Sequence, residues 1–594
     1  MDTHIFLNQV TTAVQNRELS LEAGEALKHW LTETEFETFV PGIIKLIETG
    51  QWQELDNAFY TRLTVGTGGI RGPIGVGPNT INIRTIGEAA QGLSKFIWDF
   101  GKVYAQNGVV IGYDARKFAK DFAELCAEIF AANNIPAYLF AHLCATPEVS
   151  FAVRHLGVTA GVMITASHNP RTDNGFKFYW SDGGQVVPPY DTKFMELVSS
   201  VTEIKKIPLI EAKQSGLVRM VGPEVDAAYF AKVTELSLIS SRSANIVFSP
   251  MHGSGSTNVL PALRQSGFGV TVVPEQADPD EQFPTAIGDL INPEFPEVMQ
   301  LAVKLAEKNH ADIALVADPD ADRIGLAAKQ SGETTFKLFN GDEVGALLTH
   351  FILSQRQIKR TLPPRGLVIK TYVTTTLISD IAKSFNMEVK DDLLVGFKYI
   401  AEIIEKLEDK NDFIFAAEQS LGYLAGSFVR DKDAAIASLL LAELTSFLKD
   451  QGKTLGGYLD GLYNHYGYYK NSLHTLEVKG KSGKERTTAI MKHLRLKPPT
   501  LLGGLKVFDT IDRLDPALRS PDNYVPGKTG DQITFICSSD NKTRITVRPS
   551  GTEPVVKYYV QCYAPIEGQG LEVIKANIDS LAKQLETAIV SYTQ

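Results

Sequence analysis

Short runs of apolar, β-prone residues recur along the chain, and each stops at a cluster of polar residues, glycine or proline. Val162-Met163-Ile164-Thr165 gives way to Ala166-Ser167-His168-Asn169-Pro170. Ile313 to Ala317 runs into Asp318-Pro319-Asp320-Ala321-Asp322-Arg323, and Phe413 to Ala417 into Glu418-Gln419-Ser420-Leu421-Gly422-Tyr423. Continuous apolar runs bounded by turn signals predict buried strands rather than half-exposed ones. Val109–Ile111, Ile246–Phe248 and Gly366–Ile369 read the same way, and Ala434–Leu448 reads as a helix. Residues 1–60 are rich in Glu, Leu and Gln with aromatics at Phe36, Phe39 and Trp52, and predict a helical, structural lead-in. Towards the end, Ile533–Cys537, Arg544–Val547 and Val555–Tyr563 predict neighbouring antiparallel strands, the first turn being Ser538–Asn541.

This pattern divides the chain into three α/β units of similar plan and a last α+β unit. The expected boundaries are 1–212, 213–330, 331–458 and 459–594, with a linker near Lys205–Gly216. Open α/β sheets bind ligands beyond the carboxyl ends of their strands, so four domains should surround one cleft. A length of 594 residues is too great for a single core and agrees with several domains.

Charge and cysteine content narrow the function. The formal net charge is −10, without a long Lys/Arg block, which argues against a nucleic-acid partner. An anionic ligand would need a local basic pocket. Cys126, Cys144, Cys537 and Cys562 lack metal-site spacing and read as reduced, buried thiols. No apolar run reaches membrane-spanning length, and the first residues lack a basic and an apolar leader region, so a cytoplasmic protein without a membrane partner is expected.

Five loops carry candidate chemistry. Ser167 should sit just past a strand end on a tight turn, because Pro170 has no N–H and Asn-Pro starts turns; His168 adjoins it and Lys177 follows. Gly66-Thr67-Gly68-Gly69-Ile70-Arg71-Gly72 is either an anion-cradling loop or a plain turn, and Arg71 would grip phosphate bidentately. Asp114 and Arg116 read as partners of each other. Asp318, Asp320 and Asp322 repel one another unless a cation joins them, and hard oxygen ligands suit Mg²⁺ or Ca²⁺. An EF-hand is excluded, since Arg323 and Lys329 stand where its Gly and Glu are required. Glu418 and Ser420 offer partners for sugar hydroxyls, and Lys398 is a further ligand-binding candidate. Arg548-Pro549-Ser550-Gly551-Thr552 combines a guanidinium, two hydroxyls and backbone N–H groups, a good phosphate nest.

TASHNP, DPDADR, EQSLGY and RPSGTEP, in this order and at these separations, resemble the signature loops of the α-D-phosphohexomutase family. The resemblance runs from GTGGIRG at 66 to RPSGTEP at 548 and is highly specific as a set. It implies three related mixed-sheet α/β domains plus a C-terminal TBP-like α+β domain around a central cleft. It implies a phosphorylated Ser167, with Asp318, Asp320 and Asp322 binding Mg²⁺ and a Ser167 phosphate oxygen as another ligand. Glu418 and Ser420 would hold sugar hydroxyls. Arg548, Ser550, Gly551 and Thr552 would hold the phosphate not being transferred. Arg71, His168 and Lys177 match positions near the transferred phosphoryl group and its acid–base partners, with Arg323 adding positive charge. Within the family, the length and the EQSLGY…DKDAA stretch are similar to long bacterial α-phosphoglucomutases and their phosphopentomutase relatives. Gln419 stands where that branch usually has a second Glu. Gly422 stands where the dual-specificity phosphomannomutase/phosphoglucomutase branch has His, which leaves Lys432 as the candidate substitute. The implied activity interconverts glucose 1-phosphate and glucose 6-phosphate through glucose 1,6-bisphosphate, also the activator. Pentose or mannose phosphates are the alternative substrates, and a non-catalytic sugar-phosphate sensor is the alternative of another class.

Overall fold

The computed structural model of the protein describes residues 3–66, 68–330, 335–477, 481–515, 529–550 and 555–593. Four α-helices come first: Thr3–Gln15, Leu21–Thr32, Val40–Glu48 and Trp52–Phe59. They enclose their own small core, in which Trp30 stacks on Phe36 with centroids 4.3 Å apart. The helical lead-in expected from composition is therefore present. It docks on the next unit through Asn79, whose N–H donates to the carbonyl of Ala58.

Three mixed sheets follow, each built on the same plan. The first has seven strands in the spatial order Val65–Gly66, Gly69–Pro73, Asp173–Trp180, Ala160–Ile164, Val109–Tyr113, Ala137–Phe140 and Val218–Val221. The second centres on Ile313–Ala317, parallel to Ile246–Ser249 on one side and antiparallel to Ile324–Lys329 on the other. The third centres on Phe413–Glu418, parallel to Leu367–Thr371 and antiparallel to Gly422–Ala425. In each sheet one parallel strand ends in a polar loop and the chain returns as its antiparallel neighbour: Ala160–Ile164 with Asp173–Trp180, Ile313–Ala317 with Ile324–Lys329, Phe413–Glu418 with Gly422–Ala425. The serine, aspartate and glutamate loops are thus structurally equivalent. Every residue of the three leading strands is buried, as sheets covered by helices on both faces require.

The stretch read as a linker, Lys205–Gly216, does not lead out of the first unit. It carries the helix Leu209–Gln214 and returns as Val218–Val221, which pairs in parallel with Ala137–Phe140. This strand was invisible to periodicity because its two middle residues, Arg219 and Met220, are exposed and it spans only four residues. In the same way Phe336–Phe339 belongs to the second sheet, beyond 330.

The last unit is a five-stranded antiparallel sheet, ordered Tyr468–Glu477, Val555–Ala564, Arg544–Pro549, Ile533–Ile536, Asp509–Asp512, with the helix Leu571–Thr593 against it. It is joined to the third unit by polar contacts. Arg544 stacks over Tyr372 at 3.9 Å and donates to its carbonyl, while Gln561 Nε2 donates to the carbonyls of Val373 and Thr374. Among the described residues, no helix is long and apolar enough to cross a membrane.

Candidate active site

Ser167 follows the strand Ala160–Ile164 in a left-handed conformation, φ +54°, which is unfavourable for a residue with a side chain. Its surroundings hold it there. The guanidinium of Arg116 is sealed from solvent and donates to four loop carbonyls: Ser167 (2.6 Å), Asn169 (2.7 Å), Pro170 and Asp173 (2.8 Å each). Its Nε lies 3.4 Å from Asp114 Oδ2, which also accepts from the Thr165 hydroxyl. That hydroxyl in turn accepts the N–H of Ser167 at 2.7 Å. Asp114 and Arg116 do pair, as expected, but together they shape the serine loop. Burial lifts the Asp114 carboxyl to about 6, even with Arg116 beside it. The Ser167 hydroxyl lies 3.0 Å from Asp318 Oδ2 and 3.1 Å from His168 Nδ1. Burial, with Arg323 and Arg71 nearby, holds the His168 imidazole well below its ordinary pKa, so it is neutral at pH 7.

Asp318, Asp320 and Asp322 are buried and offer ligand oxygens within 4.8 Å of one another. Asp318 Oδ1 accepts the N–H groups of Asp322 and Arg323. Asp320 Oδ2 accepts from Lys177 Nζ at 2.6 Å and from the Thr146 hydroxyl at 2.7 Å. Asp322 Oδ2 faces Lys177 Nζ at 3.1 Å and Lys432 Nζ at 3.2 Å. Burial pushes the Asp322 carboxyl up, but Lys177, Lys432 and Arg323 outweigh it and hold it well below the carboxylate range. Asp318 goes the other way, raised by burial and by its two acidic neighbours. Oδ1 of Asp320 and Oδ1 of Asp322 are buried with no hydrogen-bond partner among the described residues. Buried carboxylate oxygens left without a hydrogen bond in so tight a cluster fit a hard divalent cation such as Mg²⁺.

A cavity of about 950 Å³ connects these loops and is lined from all four units, by Arg71, His168, Arg323, Glu418, Lys432 and Arg548 among others. Glu418 accepts the N–H of Gly396 at 2.8 Å, and burial raises its pKa. Ser420 and Gln419 line the same wall. Burial draws the Lys432 ammonium down, but Asp322, Asp431 and Glu418 outweigh it, so it stays protonated. Lys398 lies to one side, paired with Asp191 at 3.0 Å, in a smaller recess it shares with Arg548 and Ser550. Gly551 and Thr552 of the phosphate nest, and Thr67 of the glycine run, lie outside the described residues.

Three features were not read from the sequence. The glycine run at 66–72 is not a free loop: Gly69–Pro73 is a strand paired to Asp173–Trp180. Its glycines admit close neighbours, since a Cβ on Gly68 would stand 2.5 Å from Arg71 Nη2 and one on Gly69 2.6 Å from the Phe176 carbonyl. Lys557 lines the cavity directly opposite Arg548 in the register of two paired strands. Two like charges so placed repel unless an anion lies between them. Lys432 reaches the aspartate loop as well as the sugar loop. Only the folded hairpin and the packing of separate units create these neighbours, and a charge in a strand or loop carried no separate signal.

The serine, aspartate and Glu-x-Ser loops thus stand at equivalent strand ends of three like α/β units, closed by an arginine-bearing α+β unit, which is the plan of the α-D-phosphohexomutase class. Models of the phosphoglucomutase/phosphomannomutase alpha/beta/alpha domains I, II and III match residues 62–205, 227–332 and 340–466. The chain belongs to this family. Within it, the chain is 35% identical over 555 residues to the phosphoglucomutase of Staphylococcus aureus strain USA300, covering 91% of this chain and 94% of that protein. It is 36% identical to that of strain N315, covering 86% and 92%. Two solved structures share the fold. Parafusin (pp63), a phosphoglucomutase from Paramecium, has a TM-score of 0.65 at 17% identity, covering 90% of this chain and 96% of that one. A phosphoglucomutase/phosphomannomutase family protein from Burkholderia thailandensis has 0.60 at 16%, covering 90% and 98%.

Proposed function

We propose that this protein is a phosphoglucomutase that interconverts glucose 1-phosphate and glucose 6-phosphate through phospho-Ser167 and glucose 1,6-bisphosphate. The observation that carries the reading is Ser167 Oγ at 3.0 Å from Asp318 in a buried aspartate cluster, beside His168, which lines the same cavity as Arg548. The resemblance to curated phosphoglucomutases over 91% of the chain supports it.

In the forward half-reaction the bond between phosphorus and Ser167 Oγ breaks as one forms to a sugar hydroxyl oxygen, and the proton that hydroxyl gives up is matched by the one Ser167 Oγ takes up to become a free hydroxyl. Glu418 and Ser420 hold the other hydroxyls, and Arg548, Ser550 and Lys557 hold the distant phosphate. The bisphosphate then turns over, and its other phosphoryl group returns to Ser167. In this return step the proton of the free serine hydroxyl passes to the neutral His168 imidazole its oxygen touches. Three aspartates and a phosphoserine dianion sum to about −5. Lys177, Lys432 and Arg323 offset most of that. Mg²⁺ held by Asp318, Asp320 and Asp322 would supply the remaining positive charge at the transferred phosphoryl oxygens. Arg71 completes the basic lining, and Lys398 adds positive charge in the neighbouring recess. The substrates are small sugar phosphates, and we place the enzyme in the cytoplasm, in keeping with four buried, unpaired cysteines.

A coupled assay with glucose 1-phosphate, mannose 1-phosphate and ribose 1-phosphate tests the reading, with glucose 1,6-bisphosphate added and free phosphate monitored. Glucose 1-phosphate should be preferred to mannose 1-phosphate by about ten- to hundredfold in kcat/KM, since an unpaired axial 2-hydroxyl costs about 1–3 kcal/mol. Equal rates would point to a dual-specificity enzyme, faster ribose 1-phosphate to a phosphopentomutase, and phosphate release to a phosphatase. Binding without turnover would point to a sensor.

A further inference from the structure

Gly422 opens the antiparallel strand of the sugar loop, in register with Glu418. Its backbone is not among the left-handed ones, so a side chain would be permitted by conformation. What forbids one is Lys432. A Cβ built on Gly422 would stand 2.1 Å from Lys432 Cδ, 2.7 Å from Cγ and 3.4 Å from Cε, its three nearest neighbours. The lysine stem lies directly across the glycine. Its ammonium is tied at the far end, 3.0 Å from Asp431 Oδ1 and 3.2 Å from Asp322 Oδ2. Asp431 is itself held by the first unit, since Tyr179 Oη and Gln185 Nε2 donate to its other oxygen at 2.9 and 2.8 Å. Thus the stem cannot slide aside without breaking the ion pairs that aim the ammonium into the cavity beside Glu418.

We propose that Gly422 is a positioning residue for Lys432: the missing side chain at 422 is the space through which the lysine reaches the sugar site. A residue with a side chain and an inward Lys432 exclude one another. Asp431 completes the arrangement by fixing the ammonium against the first unit. Arg71 lying over Gly68 is a second instance of a cleft cation resting on a glycine. That Lys432 acts on the substrate rests on the mutase reading; the exclusion between the two residues does not.

A double-mutant cycle of Gly422→Ala and Lys432→Ala tests this, read as kcat, KM and Tm. Each single variant should lose about 100-fold in kcat, the range of a lost acid–base or charge partner, with KM moving about threefold or less. The double variant should be no slower than Lys432→Ala, and adding Gly422→Ala in the Lys432→Ala background should leave Tm unchanged. Wild-type kcat in Gly422→Ala, losses that multiply in the double variant, or a Tm that falls in both backgrounds would overturn the proposal. If Gly422→Ala does not fold, the Lys432→Ala background decides alone by the same Tm criterion. If the wild type fails to isomerise glucose 1-phosphate, the mutase reading fails, while the Tm cycle still decides whether the two residues exclude each other.

Discussion

At one end of the cleft Arg116 is buried and directs its Nη donors at four carbonyls of the serine loop. At the other, Arg548 is half-buried and faces Lys557 across the strand pair, and its guanidinium has no hydrogen-bond or ion-pair partner among the described residues. Both are arginines beside a proposed phosphate, yet the protein uses them differently. At the transfer end, charges are matched inside the protein and the geometry is set before any ligand enters, which is what stabilising a transition state demands. At the clamp end, cations are left for the ligand to match, so either phosphate of a bisphosphate can occupy the same place. The first end stores its cost as buried ionisable groups. The second is cheap for the fold and contributes mainly to binding.

Breaking the transfer end should give the largest effects. Ser167→Ala should lose about four orders of magnitude in kcat and accept no phosphoryl group from glucose 1,6-bisphosphate, checked by intact mass. A variant that still turns over at the wild-type rate would remove the phosphoserine from the scheme. Asp320→Asn should lose about 10³-fold in activity, with Mg²⁺ affinity by calorimetry falling in parallel. Undiminished Mg²⁺ binding would place the cation elsewhere.

Arg116→Met separates the two ends by stability. It leaves Asp114 and four carbonyls without their buried partner, so urea unfolding should show a loss of about 3–5 kcal/mol. A loss no larger than that of Arg548→Ala would erase the contrast between the ends. Asp433, buried behind the transfer end, gives the same contrast a pH dependence. Burial raises its carboxyl from 3.8 to about 6 although it accepts from Tyr229 Oη and the Ile436 N–H. A raised pKa means the folded state holds the proton more tightly, so this stability is complete below about pH 4 and disappears as pH rises through 6. The stability of the wild type relative to Asp433→Asn should therefore fall by about 3 kcal/mol over that interval. A difference independent of pH would show that the carboxyl is as solvated as in the unfolded chain. Arg548→Ala should do least to the fold and raise KM for glucose 1-phosphate about 30-fold, the worth of a charge-assisted hydrogen bond of about 2 kcal/mol. An unchanged KM would leave the clamp to other residues.

The parts legible in the sequence were those written locally. Continuous apolar runs such as Ile313–Ala317 and Phe413–Glu418 are buried on both faces, and only a strand or a core helix segment can use such a run. Asp318, Asp320 and Asp322 announce a cation because three carboxylates in five residues cannot lie close without one. The order of the polar loops identified the family. The four-residue strand Val218–Val221 escaped notice because an edge strand with an exposed middle has no apolar run to read.

What the tertiary structure alone decided is which distant groups meet. Arg116 finds the carbonyl of Ser167, Lys432 reaches Asp322, and Lys557 faces Arg548 because strands from separate parts of the chain come into register and units dock face to face. Neither propensity nor periodicity encodes such contacts, since both describe a residue against its near neighbours. Gly422 shows the same division. In the sequence it is only a glycine where a related branch carries histidine. In the folded protein its hydrogen is what leaves room for a lysine stem 2.1 Å from where a Cβ would stand, a steric fact that exists only once the two segments are packed together.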